Sequence, residues 1–291
     1  MRFKREAPAS TTRPVKAVFM NGKTAEGTRS ERGKEMTKWD AGQYLKFQEE
    51  RTQPARDLAS KIPLQTVQKA LDIGCGPGNS TRIVKERFPS ASVLGIDQSP
   101  EMIRAARGAN PDLAFQVFDI TQELAPLGGE YDLIFSNACL QWVPEHEKLL
   151  PQLIGLLKLG GALAVQIPNN FQEPVHRILE RLSSSEKWHA CFSSPRIFHQ
   201  LAPAQYFDLL SEHTAEFTMW ETTYYHRLPS PQAILEWYRG TGLRPYLACL
   251  ADGERQAFER EVLAEIEYAY PAQRNGEIIF RFPRLFFIAC K

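Results

Sequence analysis

Residues 69–79 read Lys-Ala-Leu-Asp-Ile-Gly-Cys-Gly-Pro-Gly-Asn, and their types and spacing suit ligand binding. An apolar run leads into Gly74, Gly76 and Gly78, and a helix-like stretch follows over residues 80–88. Glycine at a strand-to-helix turn lets the backbone reverse tightly and lets a ligand lie against it without a Cβ in the way. The segment therefore predicts a ligand site at the C-terminal end of a β-strand.

The same segment indicates which class of ligand is bound. Its spacing is Gly-x-Gly-x-Gly-Asn, whereas loops that bind a pyrophosphate read Gly-x-Gly-x-x-Gly. Asp72 stands two residues before the first glycine. A carboxylate there suits a ligand with an ammonium group and a sulfonium better than a pyrophosphate, because opposite charges attract. We therefore predict that Asp72 and the three glycines bind S-adenosylmethionine.

Polar residues end the next three predicted strands. Asp97, Asp119 and Asn137 each close a short apolar run, and open parallel sheets bind ligands at the C-terminal ends of their strands. We expect Asp97 to accept hydrogen bonds from both ribose hydroxyls and Asp119 to accept one from the adenine amino group, with Ile120 covering the ring. Either acid alone would equally serve as a helix cap. Their common register with the glycine segment favours the ligand interpretation.

The elements that position these residues alternate regularly. Over residues 69–168 short β-rich runs alternate with helical segments, which indicates a parallel sheet with helices on both faces. A fifth run, residues 162–167, follows a predicted turn at Gly160 and Gly161. Two further β-rich runs occupy residues 217–226 and 278–290. The sequence thus predicts an α/β fold: a Rossmann-like, doubly wound, mostly parallel seven-stranded sheet.

Other segments lie before and between these strands. Apolar residues at helical spacing predict an amphipathic helix over residues 44–62. Two largely helical segments, about residues 169–213 and 229–276, are expected to form a lid near the C-terminus. Pro283 predicts a bulge or bend within the last strand, because proline cannot donate to a ladder.

Composition bounds the remaining possibilities. The chain has 291 residues, of which 43% are hydrophobic and 24% charged, as in soluble globular proteins. Its formal net charge of +1 gives no long-range attraction to nucleic acid. No apolar run approaches the roughly 20 residues of a membrane span. Five cysteines without a Cys-x-x-Cys pair argue against a disulfide framework and a zinc site. We expect a cytoplasmic protein that binds no metal, membrane or nucleic acid.

Residues 1–35 differ from the rest of the chain. They carry a net charge of +5 and little apolar periodicity, whereas residues 36–291 carry a net charge of −4. Such a segment cannot bury enough apolar surface to order itself, and its four Glu argue against a transit peptide. We expect residues 1–35 to be a disordered basic extension, upstream of an alternative start at Met36. Residues 36–291 are then a single domain that binds S-adenosylmethionine.

Several segments besides the glycine motif carry a resemblance to a known family. They are Trp39 with Tyr44, Phe47 and Glu50-Arg51, Asn137-Ala-Cys-Leu-Gln-Trp142, Thr222-Thr-Tyr-Tyr-His226, Thr241-Gly-Leu-Arg-Pro245 and Phe282-Pro-Arg-Leu-Phe286. From about Met36 to Lys291 the chain resembles the class I S-adenosylmethionine-dependent methyltransferases, and more narrowly the trans-aconitate 2-methyltransferase family. The resemblance implies methyl transfer to one carboxylate of trans-aconitate, giving a monomethyl ester. It also implies a cytoplasmic monomer or small homo-oligomer without a metal, and adds Asn79, Gln98 and Met102 to the residues expected to bind the cofactor.

A carboxylate acceptor makes limited demands on the enzyme. Its pKa is near 4, so it is ionised at neutral pH and needs no general base. The protein then has to align and desolvate it, and we predict no catalytic acid or base. We expect cations and neutral donors around the substrate, with Trp142 as a wall. The candidates are Arg51, Arg244, Arg284, Tyr224, Tyr225 and His226. His226 is equally open to a role as a general base for a hydroxyl substrate, or as a core histidine.

Other functions stay open on the sequence alone. The fold would also suit a methyltransferase for another small polycarboxylate, such as isopropylmalate or citrate, or for a hydroxyl, an amine or an RNA base. The net negative charge of residues 36–291 counts against RNA. A module that binds the cofactor without catalysis is a further alternative.

Overall fold

The computed structural model describes residues 48–192 and 198–291, with side chains from Thr52 onward. The predicted extension, residues 1–35, lies outside the described residues. So do the first residues of the predicted helix over 44–62 and the side chain of Arg51. Within the described ranges, no helix combines the length and apolar composition that crossing a membrane requires.

A seven-stranded sheet organises the described chain, in the order β3-β2-β1-β4-β5-β7-β6. Strands β1 to β5 pair in parallel, while β7 is antiparallel to both β5 and β6. This arrangement confirms the predicted mostly parallel α/β sheet. The strands are β1 (Lys69–Ile73), β2 (Ser92–Asp97), β3 (Ala114–Val117), β4 (Tyr131–Asn137), β5 (Leu157–Pro168), β6 (Glu216–Leu228) and β7 (Ile278–Cys290).

Helices cover both faces of this sheet because its central strands are apolar on both faces. The helices are α1 (Gln48–Ser60), α2 (Asn79–Arg87), α3 (Pro100–Ala109), α4 (His146–Leu156), α5 (Pro174–Ser183), α6 (Pro203–His213), α7 (Pro231–Arg239), α8 (Arg244–Cys249) and α9 (Asp252–Ala269). Along β4, Leu133 and Phe135 pack toward α1 and α2, whereas Ile134 between them packs toward α4 and α6.

A separate apolar cluster joins α5, α7 and α9 to the end of the β6–β7 pair that extends past β5. Phe280 and Phe282 of β7 pack there against Trp237 and Tyr238 of α7 and Phe258 of α9. These helices come from the two segments predicted to form a lid, but α6, from the first of them, packs on the main sheet instead. A lid function of the other helices stays a prediction.

The predicted turn at Gly160 and Gly161 is wrong, because β5 runs through both residues from Leu157. The pairing with β4 shifts register between Tyr131 and Leu133 at this point. A Cβ on Gly161 would lie 2.7 Å from the carbonyl oxygen of Tyr131. The glycines thus permit a bulge with close backbone approach, a feature that resembles a turn in sequence.

The predicted bulge at Pro283 is also wrong, since β7 keeps one register with β6 through the Pro283–Thr223 pair. The carbonyl of Pro283 points toward the β5 side and accepts the N–H of Asn169 at 2.9 Å. The N–H and the carbonyl of a strand residue point to the same side, so the N–H that proline lacks would also have pointed toward β5. There β5 has already ended at Pro168, which pairs with Arg284. No ladder hydrogen bond is lost, and the strand has no reason to bend.

Candidate active site

A cavity of about 260 Å³ lies at the C-terminal ends of the parallel strands, where the glycine segment leads into α2. Such cavities in open α/β sheets are the usual location of ligand sites. The lining includes most residues predicted to bind the cofactor: Gly74, Gly76, Asn79, Asp97, Gln98, Met102, Asp119, Ile120 and Asn137.

The glycines of this segment have different roles. Gly74 and Gly76 adopt φ values of 69° and 54°, in the region that favours glycine. A Cβ on Gly74 would overlap the side chain of Cys139, so this glycine allows the loops after β1 and β4 to touch. A Cβ on Gly76 would meet nothing within 4 Å. Gly76 therefore leaves open space where a ligand can approach the backbone, while Gly78 lies behind the cavity lining, next to Asn110.

Asp97 fastens the glycine loop to the end of β2. Its Oδ2 accepts the N–H of Gly76 at 3.0 Å, and its Oδ1 accepts the N–H of Ser99 at 2.8 Å. Burial raises the pKa of Asp97, against the effect of these two hydrogen bonds. Each carboxylate oxygen can accept a second hydrogen bond, and the side chain lines the cavity.

Two further strand ends offer acceptors. Asp119 Oδ1 accepts the N–H and the hydroxyl of Thr121, at 2.9 and 2.8 Å, in a tight local turn next to the buried Ile120. Asn137 Oδ1 is buried and has no hydrogen-bond partner among the described residues. A buried carbonyl oxygen without a partner is costly, and a ligand with an N–H donor would remove that cost.

Asp72 is placed differently from the prediction. It is fully buried behind the lining, where its Oδ2 accepts the hydroxyls of Ser80 at 2.7 Å and Thr81 at 2.6 Å. Burial raises the pKa of Asp72 to about 6, although those hydrogen bonds act in the opposite direction. Asp72 joins β1 to the first turn of α2 and does not itself line the cavity.

Two of the residues predicted to bind the substrate also line the cavity. Arg284 of β7 is buried, with its Nη1 donating to Gln166 Oε1 at 3.2 Å and its guanidinium 4.4 Å from the centre of the Phe282 ring. Trp142 follows β4 and packs on Phe198, with ring centroids 5.1 Å apart. A cation and an aromatic wall therefore meet in this part of the cavity.

The structure does not bring Tyr224, Tyr225, His226 and Arg244 to the cavity lining. Successive side chains of β6 point to opposite faces of the sheet, so Tyr225 lies on the other face from Tyr224 and His226. Its side chain there is 65% exposed. The hydroxyl of Tyr224 donates to Asp57 of α1. Arg244 begins α8, just past the lining residues 241 and 242. In this structure, none of these four side chains is positioned to contact a ligand in the cavity.

His226 is a core histidine in this structure. It packs beside Trp237, with ring centroids 5.2 Å apart, and stacks on Tyr224 at 6.1 Å. Burial lowers the pKa of His226 to about 4, and the charge of Arg284 lowers it as well. At neutral pH the ring is therefore uncharged and a weak base.

Sequence reasoning missed a polar group in the part of the cavity lining contributed by residues after β5. Asn170, His176 and Tyr238 line the cavity together and are hydrogen-bonded to one another. They lie on three separate elements, so no local spacing relates them. The nearest sequence signal is the 241–245 segment, which begins three residues after Tyr238.

Comparison with known proteins identifies the family. A model described as a methyltransferase domain matches residues 70–161. The trans-aconitate 2-methyltransferase of Methylobacterium radiotolerans is 44% identical over 263 residues, which cover 88% of this chain and 99% of the relative. The chain belongs to the trans-aconitate 2-methyltransferase family.

A second member of the trans-aconitate 2-methyltransferase family, from Azoarcus sp. strain BH72, is 45% identical over 257 residues, covering 88% of this chain and 100% of the relative. Among solved structures, the YcgJ protein of Bacillus subtilis has a TM-score of 0.55. That match covers 82% of this chain and 99% of the other at 13% identity, so it supports the fold alone.

Replacing Asp72 with Asn should raise the free energy of unfolding at pH 7.5 by on the order of 2 kcal/mol. The pKa of Asp72 is about 6 in the folded chain, whereas the ordinary pKa of an aspartate is 3.8. The folded chain therefore retains a proton that the unfolded chain has already released, and stability is lost as pH rises from about 4 to 6. Asparagine avoids this loss while its carbonyl oxygen still accepts from Ser80 and Thr81.

Urea unfolding of wild type and variant at pH 4.5 and 7.5 measures this effect, and the gain should be larger at pH 7.5. Asp112→Asn is the matched control, because Asp112 is an exposed acid paired with Arg82. A variant less stable than wild type at pH 7.5 would show that the ionised carboxylate stabilises the fold.

Proposed function

We propose that this chain transfers a methyl group from S-adenosylmethionine to one carboxylate of trans-aconitate, giving a monomethyl ester. The main support is the position of Arg284, a buried guanidinium in the same cavity as Asp97 and Gly76. One half of the cavity is built from strand ends that offer acceptors, and the other offers a cation among aromatic rings. This pairing suits a cationic methyl donor and an anionic acceptor.

The residues present fit S-adenosylmethionine. When bound, it would supply a methyl group on a sulfonium, which a nucleophile can attack directly. Asp97 can accept from the ribose hydroxyls, and Asp119 can accept from the adenine amino group. Asn137 Oδ1, which has no hydrogen-bond partner within the described ranges, can accept from the ammonium group. The open space beside Gly76 leaves room for the ligand to lie against the protein backbone.

Arg284 suits a substrate carboxylate for physical reasons. Its position is fixed on one side by Gln166, a fully buried residue of β5, and on the other by the Phe282 ring. A guanidinium offers donors in a planar fork that matches a carboxylate. Because the site is buried and partly aromatic, the attraction between the two charges is stronger than it would be in water.

The chain's remaining contribution is alignment and exclusion of water. The acceptor is already ionised at neutral pH, so no residue has to remove a proton from it. Phe171 and Phe198 pack with ring centroids 4.4 Å apart and extend the wall that Trp142 begins. Such a wall strips water from the attacking oxygen and holds it in line with the methyl group.

A hydroxyl substrate would need a general base, and His226 is poorly suited to that role. It does not line the cavity, and its pKa is lowered to about 4. Other small polycarboxylates would contact the same cation and aromatic wall. An assay with several acids therefore distinguishes trans-aconitate from them as the substrate.

The direct test is transfer of labelled methyl from S-adenosylmethionine to a panel of acids: trans-aconitate, citrate, isopropylmalate and a hydroxyl acceptor. We expect label on trans-aconitate that mild alkali releases as methanol, because an ester hydrolyses where a methyl ether or amine does not. Alkali-stable label, or transfer only to another acceptor, would overturn the proposal.

Replacing Asp97 with Ala should weaken S-adenosylmethionine binding by on the order of 2 kcal/mol. The change removes the acceptor for the ribose and also releases the N–H of Gly76 from its anchor. Calorimetry on the purified protein measures the affinity without requiring turnover.

Asp132→Ala is the matched control for Asp97→Ala. Asp132 also accepts two backbone N–H groups, from Gln68 and Lys69 at 2.9 Å, but it lies at the start of β4, whereas the cavity lies at the C-terminal ends of the strands. The Asp132→Ala variant should be less stable than wild type but bind S-adenosylmethionine with the same affinity. Equal affinities in wild type and Asp97→Ala would remove the ribose assignment.

Replacing Arg284 with Leu should raise KM for trans-aconitate by roughly 30-fold to several thousand-fold, the usual effect of losing a buried carboxylate partner. Cofactor affinity should stay nearly intact, and Arg284→Lys should recover little, because a point charge does not reproduce the planar fork. Steady-state kinetics with calorimetry separate the two effects.

Arg227→Leu is the control for this prediction, because Arg227 is an exposed cation of β6 paired with Glu277. Its KM should match wild type. If Arg284→Leu also kept the wild-type KM, Arg284 would not hold the substrate.

A further inference from the structure

Gln141 offers the cavity an acceptor that the proposed function leaves unassigned. It lies in the short turn Leu140–Trp142 after β4, is 4% exposed and lines the cavity. Its side-chain Oε1 is buried and has no hydrogen-bond partner in the part of the chain that the structure describes. A buried carbonyl oxygen in that state is costly, so a ligand that brings positive charge next to it would be stabilised.

The chain fixes the orientation of the Gln141 amide. Its Nε2 donates to the carbonyl of Ala138 at 2.7 Å. Exchanging the amide nitrogen and oxygen would set two oxygens against each other, so this orientation follows from the hydrogen bond. The N–H of His199 donates to the backbone carbonyl of Gln141 at 3.1 Å and holds the turn from the other side. Oε1 is therefore the side-chain atom of Gln141 that is left without a partner.

The backbone of Ala138, which orients this amide, has an unusual conformation with a φ of 55°. A residue other than glycine keeps such a conformation only where its surroundings hold it there. Here the N–H of Ala138 donates to the carbonyl of Gln166 at 3.0 Å, while its carbonyl accepts from Gln141. Backbone strain of this kind concentrates at ligand sites, which agrees with a binding role for the turn that carries Gln141.

Gln141 also lies at the junction between the two halves of the cavity. Asn137, four residues before it, is an acceptor at the end of β4, and Trp142, directly after it, begins the aromatic wall. Gln166, whose backbone anchors this turn, holds the guanidinium of Arg284 through its side chain. A methyl group that passes from the cofactor to an anionic acceptor has to cross this junction.

We propose that Gln141 Oε1 binds the sulfonium and its methyl group when S-adenosylmethionine occupies the cavity. This inference rests on the proposed function. The positive sulfur polarises the methyl C–H bonds, and a carbonyl oxygen can accept weak hydrogen bonds from them. In a buried site the attraction between this oxygen and the cation is stronger than in water. Because the amide is uncharged, it attracts the sulfonium without the repulsion that a carboxylate would exert on an anionic acceptor.

Three ligands separate this contact from the other cofactor contacts. S-adenosylmethionine carries the sulfonium methyl, S-adenosylhomocysteine lacks the methyl and is uncharged at sulfur, and sinefungin carries an amine in place of the methyl. All three share the adenine, the ribose and the ammonium group. A residue that binds the methyl position should therefore affect the first and third ligands and leave the second unchanged.

Gln141→Met, which removes Oε1 at similar side-chain length, should weaken binding of S-adenosylmethionine and sinefungin roughly fivefold or more relative to S-adenosylhomocysteine. Calorimetry measures all three affinities without turnover. The variant also removes the donor to Ala138. A loosened turn would weaken the three ligands together, so the ratio of affinities isolates the methyl contact. Gln141→Asn, whose amide oxygen is drawn back by one methylene, should show the same selective loss and serves if Gln141→Met does not fold.

Asn137→Ala is the matched control, because the ammonium group that Asn137 is proposed to bind is common to the three ligands. Their affinities should fall by the same factor in this variant. Equal shifts for all three ligands in the Gln141 variants, or no shift, would overturn the inference, and so would a selective loss of S-adenosylmethionine in Asn137→Ala. If wild type binds none of the three ligands, the proposed function fails instead.

Discussion

The carboxylate of Asp97 is the group on which the acceptor-lined half of the cavity depends. Its two oxygens hold the N–H groups of Gly76 and Ser99, so one side chain joins the loop after β1 to the start of the segment leading into α3. Gly74 in the same loop packs against Cys139 after β4. The loops after three parallel strands are thereby fixed relative to one another, and their acceptors face one space.

The other half of the cavity depends on where a charge is buried. Arg284 is placed inside by the alternation of β7, and its side chain is held between Gln166 and Phe282. A charge in a buried, partly aromatic site attracts an opposite charge more strongly than it would in water, so this site favours an anionic ligand. The same charge helps to keep His226 neutral, which limits base chemistry in its vicinity and agrees with an acceptor that needs no deprotonation.

Local sequence signals were sufficient to predict the acceptor-lined half of the cavity. Strand ends are marked by residues adjacent in sequence, which is why Asp97, Asp119 and Asn137 were predicted at the positions where the structure has them. The direction in which a side chain points was harder to predict from sequence. Asp72 points toward α2 and away from the cavity, and Tyr225 points into solvent although its neighbours on β6 point toward the protein interior. The group around Tyr238 was missed because its partners are 62 and 68 residues away, so only the folded chain relates them.

The central claim is that the acceptor reaches the cavity as an ionised carboxylate, and the dependence of kcat on pH tests it most directly. With trans-aconitate as substrate, kcat should be flat from about pH 6 to 9, because a group with a pKa near 4 is already deprotonated throughout. His226→Phe should have the same flat profile. A log-linear rise in kcat through pH 7 that disappears in His226→Phe or His176→Gln would show general-base catalysis on a protonated acceptor and contradict the account.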